Sequence, residues 1–291
     1  MNNATDPVQI ADLLVIIVDT NPIQKYLQQN SESLSLVVDS VIPLANAHLL
    51  QRAENMIAVI SCHHNGSFYL YPTEGKKVPD TQNYDGQFEA FSEVELTVRQ
   101  NLSELIENAP IVTPIAESLL AGTISLALCY INRLSLEVEP NTKIRPRILI
   151  ITGSNENSSQ YVNFMNVFFT AQKMGCTLDV CALNNSLILL RQGCEITSGQ
   201  YLHVTNLEPL LQYFLWVFLP EPEIRKKLVL PQLNKVDTRA ACFCHRELIE
   251  VAFVCSVCLS VFCKFSPICT TCHTIFKAPE LIQTAKKKRK L

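Results

Sequence analysis

The chain has 291 residues, 48% apolar and 18% charged, with a net charge of −3. Eight glycines and 15 prolines exclude collagen-like and Gly/Ser-rich disordered chains. Neither the apolar run 13–18 nor the stretch 210–219, interrupted by Gln212, approaches the roughly 18 apolar residues of a membrane span, and residues 1–7 lack the basic and apolar regions of a secretory signal, so a soluble intracellular chain without a membrane partner is expected.

Residues 13–18 are short, β-branched and apolar, and end in Asp19-Thr20-Asn21-Pro22, which reads as a buried strand and a turn. Residues 31–54 carry apolar side chains at helical spacing (Val37, Val38, Val41, Leu44, Ala45, His48), with Ser31 or Ser33 as the cap. A second strand at 56–62 turns through Asn65-Gly66 into a partner strand at 67–71. A polar loop at 72–86 leads to helices at 88–108 and 114–134. Next come a strand at 147–152, a helix at 160–174, a strand at 178–183 and a short helix at 186–193 closed by Gly193. A strand at 200–204 and an apolar helix at 207–219, ended by Pro220, close the series.

Apolar strands alternating with helices predict an α/β fold: a doubly wound, mainly parallel sheet with helices on both faces and one antiparallel edge. This domain covers 1–220. Three prolines and mixed charges mark 221–240 as a linker, 241–277 is a Cys-rich module, and 278–291 is a basic tail.

Charge and cysteine divide along the same line. Residues 242–291 carry eight Lys/Arg and three Asp/Glu, while the remainder carries 16 against 24. Seven of the twelve cysteines lie between Cys242 and Cys272. In a reducing compartment such a cluster points to metal rather than disulfides. The scattered Cys62, Cys129, Cys176, Cys181 and Cys194 read as small core residues.

Cys255-x-x-Cys258 and Cys269-x-x-Cys272 are two knuckles separated by ten residues. A two-residue gap lets both sulfurs of a knuckle reach one ion, and four thiolates close a tetrahedral Zn²⁺ site with no open position for water. The module is too short to bury a core alone, so the zinc is expected to be structural. Cys242, Cys244, His245 and Cys263 could form a second, interleaved zinc site, although Cys242-Phe243-Cys244 is tighter than a usual knuckle. His273 reads as a bystander.

A buried strand followed by Asp19-Thr20-Asn21-Pro22-Ile23 resembles the start of a von Willebrand factor A-type domain. That resemblance implies a cation site, here degenerate. Asp19 keeps its place, Asn21 stands for the first Ser, and Ile23 stands for the second and cannot coordinate. Thr123 in Gly122-Thr123-Ile124 matches the Thr loop, and Thr152 of Ile151-Thr152-Gly153 occupies the place of an Asp. Such a set is expected not to depend on Mg²⁺, an ion that demands oxygen ligands in near-octahedral array.

The whole pattern resembles the smaller von Willebrand A-type subunit family of the transcription and DNA-repair factor TFIIH. The residues that carry it are 18–22, 119–122 with 127–131, 210–220, and above all Ala241-Cys-Phe-Cys-His245 with 254–259 and 265–272. The resemblance implies a non-catalytic scaffold in the nucleus, acting in RNA polymerase II transcription initiation and nucleotide excision repair. Its implied partners are other TFIIH core subunits, chiefly the larger A-type, RING-bearing subunit. The basic run Lys286, Lys287, Lys288, Arg289, Lys290 reads as a nuclear import signal.

No P-loop, dinucleotide, nucleophile-elbow or His-Glu-x-x-His motif is present, and no enzyme is expected. The alternative is a zinc-dependent nucleic-acid-binding protein. Between Cys242 and Cys272, however, Arg246 and Lys264 are balanced by Glu247 and Glu250, which makes a poor phosphate clamp, and direct sequence-specific binding of nucleic acid is not expected.

Overall fold

Alternation along β1 (Gln9–Asp19) sets the layers of the first unit. Leu13, Val15 and Ile17 enter one core, and Leu14, Ile16 and Val18 enter the other, because successive strand side chains point to opposite faces. In this computed structural model the described residues are 9–29, 32–73, 89–109, 118–138, 142–155, 160–183, 186–231, 240–245, 248–258 and 260–276. They fall into two compact units, Met1–Val236 and Asp237–Leu291.

Among the described residues the first unit is built on six strands. Five of them, β1, β2 (Met56–His63), β4 (Thr142–Thr152), β5 (Thr177–Leu183) and β6 (Tyr201–Val204), are parallel, and β3 (Gly66–Tyr71) adds an antiparallel edge. The order is β3-β2-β1-β4-β5-β6. Helices α4 (Leu120–Glu137), α5 (Tyr161–Lys173) and α6 (Ile188–Thr197) cover the Val15 face. Helices α2 (Ser33–Gln51), α3 (Glu89–Glu107) and the 210–218 helix cover the Ile16 face. Short helix α1 (Lys25–Gln29) follows the first turn. This is the expected doubly wound, von Willebrand A-like arrangement.

Helix α2 has the length and apolar composition of a membrane span. Its Val37, Val41, Leu44 and Ala45 face is buried on the sheet, and His48 Nε2 meets the Asp12 and Met56 carbonyl oxygens at 3.2 Å each, so it packs as a core helix.

Several boundaries differ from the sequence reading. The cap of α2 is Glu32, without a side-chain capping bond. The first hairpin turns at His64 and Asn65, because Gly66 already pairs with His63. Of the helix expected from 114, residues 114–117 lie outside the described residues, and the described helix begins at Leu120. Strand β4 starts at Thr142, five residues early, and tolerates Pro146 because pairing with β5 begins only at Arg147.

Gly193 does not close α6, which runs on to Thr197 with Ser198 in the left-handed conformation at φ 59°. The glycine serves packing instead: a Cβ there would lie 2.6 Å from the Phe168 ring. The helix expected at 207–219 is α-helical at α7 (Leu210–Tyr213) and then π-helical over Phe214–Phe218. Of the scattered cysteines, Cys62, Cys176, Cys181 and Cys194 are buried as expected, whereas Cys129 is exposed. Burial pushes the Cys62 and Cys176 thiols up to about 12.

The 221–240 stretch does not open as a linker. It begins with α8 (Pro222–Arg225), whose Arg225 is buried, and Glu221 before it is buried as well. Glu221 joins Arg52 and Arg145 at 2.6 Å each, and Arg145 also grips Asp12 at 2.8 and 3.1 Å. The buried Arg147 donates to the carbonyl oxygens of Phe218, Leu219 and Pro220, which a helix end leaves without partners. The rest of the stretch from 232 to 239, most of the 72–86 loop and the 278–291 tail lie outside the described residues.

Among the described residues the second unit has four two-residue strands. β7 (Ala240–Ala241) pairs with β8 (Leu248–Ile249), and β9 (Phe253–Val254) pairs with β10 (Val261–Phe262). Its buried apolar core is small, centred on Phe262 and the sulfurs of Cys255 and Cys269.

Candidate cation and metal centres

The parallel strands end together at the upper edge of the sheet, where β1 delivers Asp19 and β4 delivers Thr152. Asp19 is fully buried. Its Oδ1 accepts from the Asn21 amide at 3.1 Å. Its Oδ2 accepts from the Thr152 hydroxyl at 2.6 Å and the Ser118 hydroxyl at 3.3 Å. Burial raises the Asp19 carboxyl above its ordinary value, and the bond from Thr152 is the strongest effect opposing that rise.

Thr152 therefore points a hydroxyl proton at Asp19. Asn21 Oδ1 accepts from the Ile23 amide at 3.2 Å, which closes a local turn. Gln24 ties this turn to the end of β4: its Nε2 donates to the Asp19 carbonyl at 2.9 Å and its Oε1 accepts from the Gly153 amide at 2.7 Å. Gly153 has to be glycine, since a Cβ would sit 2.5 Å from the Tyr26 ring.

The Thr123 side chain hydrogen-bonds to residues other than Asp19. Its hydroxyl bonds Ser67 Oγ at 2.6 Å and donates to the Leu119 carbonyl at 3.2 Å, which fastens α4 to β3. The residue that reaches Asp19 from this side is Ser118, just before α4. The sequence reading missed it because the Gly122-Thr123 pair was the more familiar signal. Above the group is a cleft of about 240 Å³ lined by Asn21, Lys25, Ser118, Gln160, Phe164 and Leu190.

In the second unit, the 255/258 and 269/272 knuckles face each other. Cys255 Sγ lies 3.6 Å from Cys272 Sγ, and Cys258 Sγ lies 3.6 Å from Cys269 Sγ. Bonds of about 2.3 Å at tetrahedral angles place sulfurs about 3.8 Å apart, so the four fit one zinc-sized ion. Within each knuckle the second cysteine's amide points at the first sulfur, Cys258 N to Cys255 Sγ and Cys272 N to Cys269 Sγ, both at 3.5 Å. His273 follows in the left-handed conformation at φ 60° and is not part of the group.

Cys242, Cys244, His245 and Cys263 form a second group in which the ligand atoms lie within 4.8 Å of one another. Among the described residues, two Cys-rich clusters thus could each hold a metal ion. The basic run 286–290 lies outside the described residues.

The family model described as Transcription factor Tfb4 matches residues 11–273, which spans both units. The chain belongs to the Tfb4 family. Similar Tfb4 relatives include the general transcription and DNA repair factor IIH subunit tfb4 of Schizosaccharomyces pombe, 35% identical over 91% of this chain and 88% of the relative. The Arabidopsis thaliana subunit TFB4 is 31% identical over 96% of this chain and 94% of its own. Among solved structures, the crystal structure of the TFIIH p34 N-terminal domain matches with a TM-score of 0.60 at 28% identity. It covers 71% of this chain and 97% of that domain.

Proposed function

We propose that the chain is a non-catalytic scaffold subunit of TFIIH, serving RNA polymerase II transcription initiation and nucleotide excision repair through protein contacts. The observation that carries this reading is the Tfb4 family match across residues 11–273, in which the sheet unit and the metal unit are matched together. Relatives named as transcription and DNA repair factor IIH subunits support it.

The chemistry of Asp19 agrees. Its oxygens accept from Asn21, Ser118 and Thr152, so the upper edge of the sheet offers a protein partner a hydrogen-bonded surface rather than an open carboxylate for a cation. Exposed apolar side chains add contact area: Trp216 at 68% exposure with Leu215 beside it, Phe169 on α5, and Phe253 and Val257 in the second unit. Large aromatic side chains are the type that anchor interfaces.

We assign structural Zn²⁺ to Cys255, Cys258, Cys269 and Cys272, where it would hold the second unit together in place of a core. The partners are other core subunits, chiefly the larger A-type, RING-bearing one, and Lys286 to Lys290 direct the chain to the nucleus. Reconstitution of the core complex with and without this chain tests the scaffold reading. Its omission should lower the yield of assembled complex while leaving ATP hydrolysis by the isolated helicase subunits unchanged. Normal assembly and full DNA opening in its absence would refute it.

A further inference from the structure

The cleft of about 240 Å³ at the upper edge of the sheet has no part in the scaffold role. It opens past the ends of β1 and β4, between Asn21 and the Gly153-Ser154-Asn155 turn. The sheet order β3-β2-β1-β4-β5-β6 changes direction between these two strands. In open α/β sheets the crevice at such a switch point is where small ligands bind.

The lining combines two kinds of surface. Leu120, Phe164, Leu187 and Leu190 are apolar and come from the helix layer, whereas Lys25, Ser118, Ser154 and Gln160 are polar. Among the described residues of the lining Lys25 is the only charged one, and none is an acid. Asp19 lies beside the cleft, but its oxygens accept from Asn21, Ser118 and Thr152.

Three helices begin here. Leu120 opens α4, and Phe164 and Leu190 lie in the first turns of α5 and α6. None of the cap residues Leu119, Gln160 and Leu187 makes a side-chain capping bond. Each helix start carries about half a positive charge. Three of them beside a lysine create a field that favours an anion.

Ser154 supplies an independent sign of a ligand. It lines the cleft at 8% exposure, and its Oγ has no well-formed hydrogen bond, although it is near enough to Asp19 to oppose the rise of that carboxyl. A buried hydroxyl is costly to leave in that state, and a ligand oxygen satisfies it.

We propose that this cleft binds a small phosphomonoester with an aromatic or apolar body. The phosphoryl group sits against Lys25, Ser154 and the helix starts, and the body lies along Phe164, Leu187 and Leu190. A phosphoryl group offers three strong acceptor oxygens, which suits donors that arrive from several elements better than the two oxygens of a planar carboxylate. Inorganic phosphate alone leaves the apolar surface uncovered, and burial of that surface adds affinity.

Titration calorimetry of the full-length chain with phenyl phosphate, inorganic phosphate and phenylacetate tests the site. Phenyl phosphate should bind more tightly than either of the others. Lys25→Glu, a change on an exposed side chain, should weaken phenyl phosphate by about ten-fold or more, the equivalent of one charge-assisted hydrogen bond, and leave thermal unfolding unchanged. Ser154→Ala should weaken it in the same direction, and if that variant does not fold, Lys25→Glu decides. Absence of phenyl phosphate binding, equal binding of phenylacetate, or binding unchanged in Lys25→Glu overturns the proposal. A phosphotyrosine peptide identifies the source: tighter binding than phenyl phosphate places the ligand on a protein, weaker binding places it on a free metabolite, and both uphold the site. Reconstitution of the core complex has no bearing on these titrations, so the scaffold role and the ligand site fail separately.

Discussion

Arg225 Nη1 and Nη2 each lie 2.7 Å from a separate oxygen of Asp179, and both side chains are almost wholly buried. The pair binds α8 to strand β5. Arg225 also donates to the Pro220 carbonyl at 2.8 Å and the Phe218 carbonyl at 2.9 Å, and Asp179 Oδ1 accepts from the Gln200 amide. Removing one partner of such a pair leaves an uncompensated buried charge, which costs about 3–5 kcal/mol. Arg225→Ala should lower the unfolding free energy by that amount in urea titration. A loss below about 1 kcal/mol would show that water reaches and solvates Asp179.

His48 predicts an acid-sensitive fold. Burial first, and the nearby Arg147 charge second, hold its imidazole down at about 4, from an ordinary 6.5. The folded pKa lies below the unfolded one, so the unfolded chain takes up the proton first. The contribution of His48 is complete above about pH 6.5 and is lost as pH falls toward 4, amounting to about 3 kcal/mol there. Burial also holds His63 below its ordinary value, and it adds with the same sign. Denaturant unfolding measured from pH 7 to 4 should show the slope, and His48→Gln should flatten part of it.

Asp19 separates hydrogen bonding from cation binding. Asp19→Ala removes the acceptor of the Thr152 hydroxyl and of the Asn21 amide, while the Ser118 hydroxyl keeps Cys62 Sγ at 3.6 Å, and buried groups left without partners cost about 1–3 kcal/mol each at most. Asp19→Asn keeps an acceptor for Asn21 and should cost far less. Partner affinity of the wild type, measured by titration calorimetry, should not change when Mg²⁺ is chelated. A fall on chelation would restore Asp19 as a cation ligand.

The four-thiolate site predicts a local collapse. Zinc-site formation can supply on the order of 10 kcal/mol to a small module, and the described residues of the second unit bury little other core. Cys258→Ser should make 240–276 protease-sensitive, while the unfolding transition of the first unit stays where it was. Limited proteolysis read by mass spectrometry distinguishes the two.

Periodicity exposed most of the sheet because strands such as 13–18 are buried on both faces and read as unbroken apolar runs. Local pattern failed where a tertiary contact set the outcome. Gly193 looked like a helix stop, but it is a seat for the Phe168 ring. The burial of Arg147 and Arg225 was not legible, because it depends on partners far away in sequence, the carbonyls of 218–220 for Arg147 and Asp179 for Arg225. Of the cation site, Asp19 was legible from its place after a strand. Ser118 was not, because it acts from outside any motif. The knuckles were plain from spacing.

The central position of β1 has a consequence in time. Its Asp12 lies 133 residues before its partner Arg145 on β4, yet Gln9 to Val18 pairs along β4 for ten consecutive positions. At a synthesis rate of about 5–20 residues per second, one side of β1 waits roughly 7–27 s for its neighbour to be made. Throughout that interval its Leu13–Val18 run is an unpaired apolar edge, open to mispairing with other nascent chains. Slowing translation upstream of β4 would lengthen this exposure, so a holdase chaperone would find its main client surface in the first strand of the chain.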